Sequence, residues 1–584
     1  MPSAVRAGYL AGIVLALAFA AAPPQVAGQS PRAPRPDLIL VNGKVYTADS
    51  LHPWVEALAI RGERIVGAGS NAAVRALAGA RTRIVDLGGR TVIPGINDAH
   101  DHVGAAPFGV TFRTGDAPVP DPTPPQVLDS LRALALRTPA GTWIRATVGS
   151  RVLEDTAMRR AALDAATPDH PVLLQSWTGH GALVNSAALR VLGIGDAVRD
   201  SFGGWYERDG TGRPTGLLQE YVAWSVERRL ISALPDHVLV ALFRAYAEEG
   251  LRQGITSVQD MAGYLAPATT VRVLRAAQLP IRFRIIPYPI PDSAGLRTAE
   301  WRAVAGRVAP RVAVSGMKWV LDGTPIERNA LQRLPYADRP GWYGRLNFPA
   351  DTIRAILAHA LATREPLMLH VVGDSSVRLV LGLMQGLAPD SVWRPLRVRI
   401  EHADGLAGEL IPVARRLGVV VVQNPTHFAL DPQMLRHRFG SLPMDFQQLR
   451  SLAVAEVPLA FGSDGPRNPF LNIMFAVVHP SQPAEGLTRE QAVTAYTRGS
   501  AYAEFAEREK GMLAPGMLAD LAVLSQDIFT VRPEALPATR SVLTLVGGKV
   551  EFDSGDLVAT ESGRIRLPHK RVGSPPAAGL IQND

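Results

Sequence analysis

The feature that most constrains the fold is a long alternation of short apolar runs and amphipathic stretches between residues 96 and 505. The apolar runs include "GITSVQDM", "EPLMLHVVGD" and "VPLAFGSDGP", and helix-like stretches such as "DTIRAILAHALATRE" lie between them. Strands that alternate with helices over this length form parallel βαβ units. Several predicted strands end in polar residues, which favours an α/β fold with a (β/α)8 TIM-type barrel and a site at the strand carboxyl ends. An open doubly wound sheet is the alternative, but no glycine-rich dinucleotide-binding sequence follows a first strand.

Short β-rich segments flank this barrel region on both sides. Residues 37–95 contain hairpin patterns around Asn42-Gly43 and Gly62, and residues 506–560 contain another that turns at Gly547-Gly548. We therefore predict a discontinuous β-sandwich domain built from the N- and C-terminal segments. After the first barrel strand we predict a long insertion, about residues 106–225, which is Pro-rich, then helical, and covers the mouth of the site. Residues 561–584 are predicted to form a tail.

The first 28 residues have the pattern of a secretory signal peptide. Arg6 supplies a positive charge, an apolar run from Gly8 to Ala22 follows, and Val26-Ala27-Gly28 is a small-residue cleavage site. The apolar run is shorter than the roughly 20 residues of a membrane-spanning helix. We therefore predict a periplasmic or secreted protein without stable membrane insertion, in which a Pro-rich linker, residues 29–36, follows the signal.

Composition excludes several kinds of site and partner. The 584 residues have a formal net charge of +8, but the arginines are scattered among acidic residues, and no basic patch interleaved with aromatic residues is present. A nucleic-acid partner is therefore not expected. The chain has no Cys, which excludes disulfides, thiolate nucleophiles and Cys–zinc sites. A metal would have to be held by His, carboxylates or a less usual ligand.

Two histidines flank an aspartate in the stretch "IPGINDAHDHVGA". If this stretch is a strand, residues i and i+2 point to the same face, so that His100 and His102 project into one space. Asp101 then points away from that space, and we expect it to make a structural hydrogen bond. A metal site and two solvent-exposed loop histidines both remain open at this point, because histidine is the commonest metal ligand and also a frequent surface residue.

Five further polar residues lie near the ends of predicted strands: Lys318, Asp322, His370, His402 and Asp464. Each has a structural explanation when taken alone. A lysine can extend to the surface, a lone histidine is more often hydrogen-bonded than metal-bound, and an Asp between Ser and Gly is typical of a turn. Together, however, the order His-x-His, Lys, His, His, Asp on successive strands resembles the amidohydrolase superfamily.

The resemblance extends over nearly all of the chain after the predicted signal peptide. It includes the segments "PGINDAHDH", "VSGMKWVLDGT", "LHVVGD", "IEHAD", "VQNPTH", "PLAFGSDGP" and "GMLAPGMLADLAVLSQDIFTV". The segments "GHGALVNSAAL" and "GLLQE" are similar to the amidohydrolase family 3 branch, which includes N-substituted formamide deformylases.

The resemblance implies a set of metal ligands. These are His100, His102, Lys318, His370, His402 and Asp464. The first two histidines and Asp464 would bind one metal, the other two histidines would bind a second, and Lys318 carboxylated by CO2 would bridge them. A carbamate adds negative charge beside neutral imidazoles and avoids a buried lysine cation. Two zinc ions suit such ligands, and Mn, Co, Ni or Fe could also fit.

The resemblance also implies catalytic roles. Metals lower the pKa of a bound water, which attacks a carbonyl carbon. Asp464 would take up the proton of the water and deliver it to the leaving amine, with His402 beside it. His180 and His427 are candidates for contacts with the oxyanion or for a supporting role. His479 stands where relatives often carry an Arg, which argues against substrates recognised by a cation there.

We therefore expect an exported metal-dependent amidohydrolase that cleaves a C–N bond, in a small-molecule linear amide. A cyclic-amide hydrolase or a deaminase remains open, because the same scaffold hosts both. A binding protein without catalytic activity is a further alternative, although the complete set of ligands argues against it. Dimers are common in the family, so a homodimer is open as well.

Overall fold

The structure is a computed structural model that describes residues 35–106, 108–113, 121–292, 295–427, 432–440 and 445–557. The predicted signal peptide, residues 29–34 of the predicted linker and the predicted tail lie outside the described residues. From Pro36 onward, the described residues belong to one structural unit.

Two five-stranded sheets contain the parallel strands that the alternating pattern predicts. The first consists, in spatial order, of Gly306–Ala309, Val312–Val314, Arg282–Pro287, Ile255–Ala262 and Ile96–Asp101. The second consists of Met317–Val320, Leu367–Val371, Arg399–His402, Val420–Gln423 and Leu459–Phe461. All neighbouring strands are parallel except the first two of the first sheet, which form an antiparallel hairpin. The α/β class predicted from the sequence is confirmed.

The two parallel sheets do not form one continuous hydrogen-bonded barrel among the described residues. They nevertheless come together where the first and last of the parallel strands end. The Asp464 N–H donates to the His100 carbonyl oxygen at 2.9 Å, and the Ser463 N–H donates to the Asp98 carboxylate at 2.9 Å. Gly462 permits this approach, because a Cβ there would lie 2.5 Å from the His100 Cβ. The strand ends that carry the predicted ligands are therefore adjacent.

Helices connect and cover the parallel strands. The helix Ala350–Thr363 is typical, because Ile353, Ile356 and Leu357 form a buried apolar stripe at helical spacing. The α-helices of the described chain are Asn71–Arg75, Pro124–Ala135, Ser150–Leu153, Arg160–Ala166, Ser186–Val191, Tyr221–Ser232, Asp236–Arg252, Pro267–Ala277, Ala299–Arg302, Ala350–Thr363, Asp374–Leu387, Asp390–Trp393, Leu410–Leu417, Pro432–Phe439, Leu449–Val454, Pro469–Val478, Arg489–Thr494 and Ser500–Ala503.

Short helical turns complete the helical elements. Three are 3-10 turns, at Arg394–Leu396, Pro483–Glu485 and Pro533–Ala538, and one is a π-turn at Ala495–Gly499. No single helix in the described part of the chain is both long and apolar enough to cross a membrane. Two consecutive helices reach that length and composition only when taken together, and they meet at a bend of 109°: Tyr221–Ser232 and Asp236–Arg252.

Two further sheets are built from the ends of the chain. A four-stranded sheet contains Arg64–Gly69, Ala57–Arg61, Leu38–Val41 and Arg83–Asp86, and a six-stranded sheet contains Lys549–Asp553, Ser541–Val546, Leu521–Leu524, Thr91–Pro94, Lys44–Tyr46 and Trp54–Val55. Thr91–Pro94 pairs antiparallel with Leu521–Leu524, so both ends of the chain contribute to one sheet. Leu40, Ile60 and Leu521 belong to one buried apolar cluster shared by the two sheets. The domain boundaries drawn from the sequence stay predictions.

The insertion contains a sheet that the sequence analysis missed. The helices expected after its Pro-rich start are present, beginning with Pro124–Ala135, but the described part also forms a six-stranded sheet. Its strands are Gly204–Arg208, Pro214–Glu220, Gly181–Val184, Val172–Ser176, Ile144–Val148 and Val110–Thr111. Runs such as "WIRATV" and "PVLLQSW" form these strands, and a short apolar run of this kind does not by its periodicity distinguish a buried strand from a buried helix.

Candidate metal centre

The carboxyl ends of the parallel strands place all six sequence-predicted ligands in one cluster. Each of the six lies in a parallel strand or within three residues of the end of one. They are His100, His102, Lys318, His370, His402 and Asp464. Most of these side chains are fully buried, whereas His102 is 30% exposed and Asp464 is 20% exposed. The cluster is therefore enclosed by protein but open on the side of these two residues.

Asp464 lies at the middle of the cluster. Its Oδ2 is 3.7 Å from Nε2 of His100 and 3.7 Å from Nε2 of His402, and its Oδ1 is 3.7 Å from Nε2 of His102. One ligand atom from each of His100, His402 and Asp464 lies within 4.8 Å of the other two. Three nitrogen and oxygen ligands at this spacing could hold a metal ion.

His370 and Lys318 complete the cluster. The His370 ring lies 4.5 Å from the His402 ring, between centroids, and its Nε2 is buried without a hydrogen-bond partner among the described residues. Buried polar atoms are almost always paired, so this free nitrogen fits a metal ligand. The Lys318 Nζ lies 3.4 Å from the His100 Nε2, and the lysine is only 1% exposed.

Hydrogen bonds behind the cluster orient two of its imidazoles. Nδ1 of His100 lies 2.6 Å from the Glu401 carboxylate, and Nδ1 of His402 lies 2.9 Å from the Asn424 Oδ1. Because these oxygens accept hydrogen bonds, each Nδ1 donates and each Nε2 directs a lone pair at the cluster. Glu401 is held in turn by Arg399, whose Nε lies 2.8 Å from its Oε1. The roles of Glu401, Asn424 and Arg399 were not predicted from the sequence.

The surroundings keep the histidines of the cluster neutral. Burial lowers the pKa of His102 to about 3, and it also lowers the pKa of His100, His370 and His402. Neutral imidazole is the form that binds metal ions. Burial would raise the pKa of Asp464, but the basic side chains around it, His100 foremost, outweigh burial and hold that pKa well below its usual range. The cluster at neutral pH thus combines neutral nitrogen ligands with an ionised carboxylate.

The pKa values of Lys318 and Glu401 are both lowered, but for different reasons. Burial lowers the pKa of Lys318 to about 8, although the nearby carboxylates of Glu401 and Asp464 favour its charged form. Burial would raise the pKa of Glu401, but Arg399 and the hydrogen bond with His100 outweigh it and lower that pKa to about 2. Glu401 therefore stays ionised, and Lys318 has a minor neutral fraction near neutral pH.

Two more of the predicted histidines border the cluster. Nδ1 of His180 lies 3.0 Å from the Glu220 carboxylate, and this negative charge outweighs burial and raises the pKa of His180. His180 is thereby suited to donate a hydrogen bond to a developing negative charge. Nε2 of His427 lies 3.0 Å from the Asp464 carbonyl oxygen, and the His427 ring stacks on that of His402 at 5.2 Å. His427 therefore supports the position of two ligands.

Three other residues singled out in the sequence make structural contacts. The Asp101 carboxylate pairs with the Arg467 Nε at 3.2 Å, as expected for a residue that points away from the metal ligands. Asp322 accepts hydrogen bonds from the Ser376 hydroxyl and from three backbone N–H groups. Nε2 of His479 lies 2.9 Å from a backbone carbonyl oxygen. The structure does not bring Asp322 or His479 to the cluster.

Two residues of the centre have left-handed backbones, although neither is glycine. The φ angle is 68° at His402 and 37° at Asp464. Such conformations cost on the order of 1–3 kcal/mol in non-glycine residues and persist where the surrounding structure imposes them. His402 is the last residue of its strand and Asp464 lies three residues after a strand end, so the chain turns sharply at the points where it presents these two predicted ligands.

A cavity of about 790 Å³ opens onto the cluster. Cavities of roughly 300–1,000 Å³ are typical of sites for small molecules. The insertion contributes much of its wall, through residues 111–113, Thr147, residues 175–180 and Trp224, and Glu227 lines the cavity just after it. Tyr264 and Tyr288 add aromatic rings from the parallel-strand region. The cavity therefore offers an aromatic and partly polar chamber beside the predicted ligands.

Comparison with known proteins identifies relatives along most of the chain. The profile Amidohydro_3, described as the amidohydrolase family, matches residues 83–552. The chain is 29% identical over 540 residues to Protein LONG AFTER FAR-RED 3 of Arabidopsis thaliana, covering 88% of this chain and 91% of that protein. It is 25% identical over 560 residues to N-substituted formamide deformylase of Arthrobacter pascens, covering 88% of this chain and 98% of that protein.

A solved structure has the same fold. It is that of an uncharacterized metal-dependent hydrolase from Pyrococcus horikoshii OT3, with a TM-score of 0.65 and 23% sequence identity. The similarity covers 85% of this chain and 99% of that chain. The likeness therefore extends well beyond the strands that carry the cluster.

Proposed function

This chain belongs to the amidohydrolase family, and we propose that it is an exported metal-dependent enzyme that hydrolyses the C–N bond of a small-molecule linear amide. One observation carries the proposal: Nε2 atoms of four histidines each lie 3.7 Å from an Asp464 oxygen, beside a cavity of small-molecule size. The name of the relative from Arthrobacter pascens, an N-substituted formamide deformylase, supports a linear amide as the substrate.

The metal ions would be held by the six residues of the cluster. The fit rests on the neutral imidazoles, on the ionised Asp464 and on the unpartnered, buried Nε2 of His370. We infer two divalent ions, with zinc as the first candidate, because nitrogen and carboxylate ligands suit it. A divalent metal lowers the pKa of a water molecule and polarises a carbonyl oxygen.

Lys318 is proposed to carry a carbamate. The lysine cation would first lose one proton, and the neutral amine would then attack CO2, form an N–C bond and release a second proton, so that an anion replaces a buried cation. The lowered pKa of Lys318, about 8, supports this step because only the neutral amine reacts. The product would supply negative charge beside neutral imidazoles, where a lysine cation would repel a metal ion.

The remaining steps belong to side chains in the cluster and beside it. Asp464 accepts a proton from the attacking water and passes it to the leaving amine nitrogen, so that amide and water become a carboxylic acid and an amine. His180, held by Glu220, donates a hydrogen bond to the carbonyl oxygen as negative charge develops there. His402 orients the Asp464 carboxylate from 3.7 Å.

We further propose that the two parallel sheets are the two halves of a (β/α)8 barrel. The hydrogen bond between the Asp464 N–H and the His100 carbonyl oxygen supports this, since it joins the first and last strands of the set. Export would depend on residues 1–28, whose sequence has the three parts of a signal peptide.

Metal quantitation and an amide screen test the proposed function. We expect the wild type to contain stoichiometric divalent metal and to lose activity when chelated. Lys318→Ala and Asp464→Asn should lose metal and should lose at least about a hundredfold in activity, since each removes a ligand or a proton carrier. His359→Asn, at an exposed position on the helix Ala350–Thr363, serves as the control and should behave like the wild type.

The result that would overturn the proposal is full metal content and full activity in both variants. The products separate the alternatives on the same scaffold. A linear amide yields a free acid and a free amine, a cyclic amide yields one ring-opened product, and a deaminase releases ammonia.

A further inference from the structure

Glu227 is a buried carboxylate for which the proposed chemistry has no role. It lies on the helix Tyr221–Ser232, is 3% exposed and lines the cavity. Its Oε1 has no hydrogen-bond partner, and its carboxylate forms no ion pair, among the described residues. The charge of Arg145 favours the ionised form of Glu227 from a distance. The Arg145 guanidinium itself lies 4.0 Å from the Phe108 ring and donates to the Ala106 carbonyl oxygen.

An unpaired carboxylate in this position is unusual. Buried carboxylates are normally paired or fully hydrogen-bonded, because desolvation without a partner is costly. Burial accordingly raises the pKa of Glu227 to about 8, with only partial compensation from Arg145. A ligand that brought a positively charged N–H donor into the cavity would supply the partner that the described residues do not.

Aromatic rings line the same cavity as this carboxylate. Trp224 lies one turn earlier on the same helix, and its ring is 5.4 Å from that of Tyr288. The Trp224 Nε1 donates to the Gly179 carbonyl oxygen at 2.8 Å, which holds the indole in place. Burial and the negative charge of Glu227 both raise the pKa of Tyr264, which shows that its hydroxyl lies within electrostatic range of the carboxylate. Aromatic faces attract ammonium groups, most strongly when both are removed from water.

We propose that Glu227 and the rings of Trp224, Tyr264 and Tyr288 form a subsite for a positively charged amine. The rings of Tyr264 and Tyr288 lie 6.3 Å and 6.2 Å from the His102 ring, so the subsite adjoins the cluster. The favoured substrates are therefore amides that also carry an ammonium group. This statement about substrates rests on the proposed hydrolysis, whereas binding of the amine does not.

Calorimetry with benzylammonium and its neutral analogue benzyl alcohol tests the subsite. The metal-loaded and the chelated wild type should both bind benzylammonium about tenfold more tightly than benzyl alcohol, through the ion pair and the aromatic contacts. Glu227→Gln should lose this preference and keep the affinity for benzyl alcohol and the metal content. Glu248→Gln, a surface change on the following helix, should retain the preference.

A second measurement does not depend on a variant. In chelated wild type near pH 7, benzylammonium should release close to one proton per molecule bound, because the cation ionises Glu227. Equal affinity of the wild type for both probes, a preference that disappears on chelation, or binding without proton release would each overturn the subsite.

Hydrolysis separates this proposal from the proposed function. Glu227→Gln should lower kcat/KM for N-(aminobutyl)acetamide and leave that for N-pentylacetamide unchanged. If no amide is hydrolysed while the preference for benzylammonium persists, the subsite stands and the proposed hydrolysis is wrong.

Discussion

Glu401 connects the predicted metal ligands to the charged interior of the protein. Its carboxylate lies 2.6 Å from Nδ1 of His100 and receives two hydrogen bonds from Arg399, at 2.8 Å and 3.0 Å. A buried carboxylate without a cation would be protonated and could not orient the imidazole in this way. The pair of Arg399 and Glu401 therefore determines which nitrogen of His100 is directed at the cluster.

Glu401→Gln tests this positioning role. We expect metal affinity to fall by about ten- to a hundredfold, as is usual when the partner of a ligating histidine is altered. The amide cannot match the charge of Arg399, so the orientation of His100 weakens. Competition with a chelating dye measures the affinity, and Glu409→Gln, whose exposed carboxylate pairs with Arg378, is the matched control. Equal metal affinity in wild type and E401Q would contradict the role.

The residues of the centre were predictable to different degrees. The candidate ligands stand out because His and Lys are rare at the ends of apolar runs, and because His100 and His102 are two positions apart. Glu401 has no such signal, since its partner His100 is 301 positions away in the chain. The spacing Arg399-x-Glu401 could have indicated a shared strand face, but not which histidine lies beside it.

At the scale of elements, the approach of the first and last parallel strands depends on Gly462. A Cβ at this position would lie 2.5 Å from the His100 backbone nitrogen and 2.5 Å from its Cβ. These atoms belong to a buried strand and cannot move independently of it. The glycine is required for space here, and not for a left-handed turn.

Gly462→Ala should therefore separate the two strands and disturb the cluster. We expect the variant to lose most of its bound metal and to unfold at a lower temperature, measured by metal analysis and by calorimetry. Gly382→Ala is the matched control, because this glycine lies in the helix Asp374–Leu387 with no atom within 4 Å of the added Cβ. It should keep its metal and be more stable by up to about 1 kcal/mol, through helix propensity. Normal metal content in Gly462→Ala would show that the approach is not required.

Secondary structure was predicted well where the alternation of apolar and polar residues extends over many residues, and poorly where an apolar run is short. The repeated alternation of strands and helices predicted the α/β class, because parallel strands need crossover helices. The insertion contains helices, as predicted, but it also contains a six-stranded sheet that was not predicted. Its strands Ile144–Val148 and Val172–Ser176 have five residues each, too few for a period to be recognised.

At the scale of the whole molecule, Arg438 links three distant segments. It is 2% exposed and pairs with Glu154 of the insertion and, at 2.6 Å, with Asp338 of the connection that follows the strand Met317–Val320. It also donates to the Ile326 carbonyl oxygen at 2.8 Å. These contacts attach the insertion to the region that bears the predicted ligands.

Arg438→Met should destabilise the protein by about 2 kcal/mol, because Glu154 and Asp338 lose one of the two arginines that pair with them and keep only the other, Arg328. Thermal unfolding measures the effect as a lower midpoint. Arg436→Met, at an exposed position on the same helix, should leave the midpoint unchanged. An unchanged midpoint in R438M would mean that solvent or other groups satisfy the two carboxylates.

The sequence was enough to predict the properties that depend on side-chain chemistry and on residues close together in the chain. These are the α/β class, the family, the types of residue that can bind a metal, and the absence of thiol chemistry. The tertiary structure was needed to show which residues hydrogen-bond to the predicted ligands, how the insertion folds, and that Glu227 lines the cavity without a partner among the described residues. Burial and pairing depend on contacts between residues that are hundreds of positions apart in the chain, and such contacts cannot be predicted from local sequence patterns.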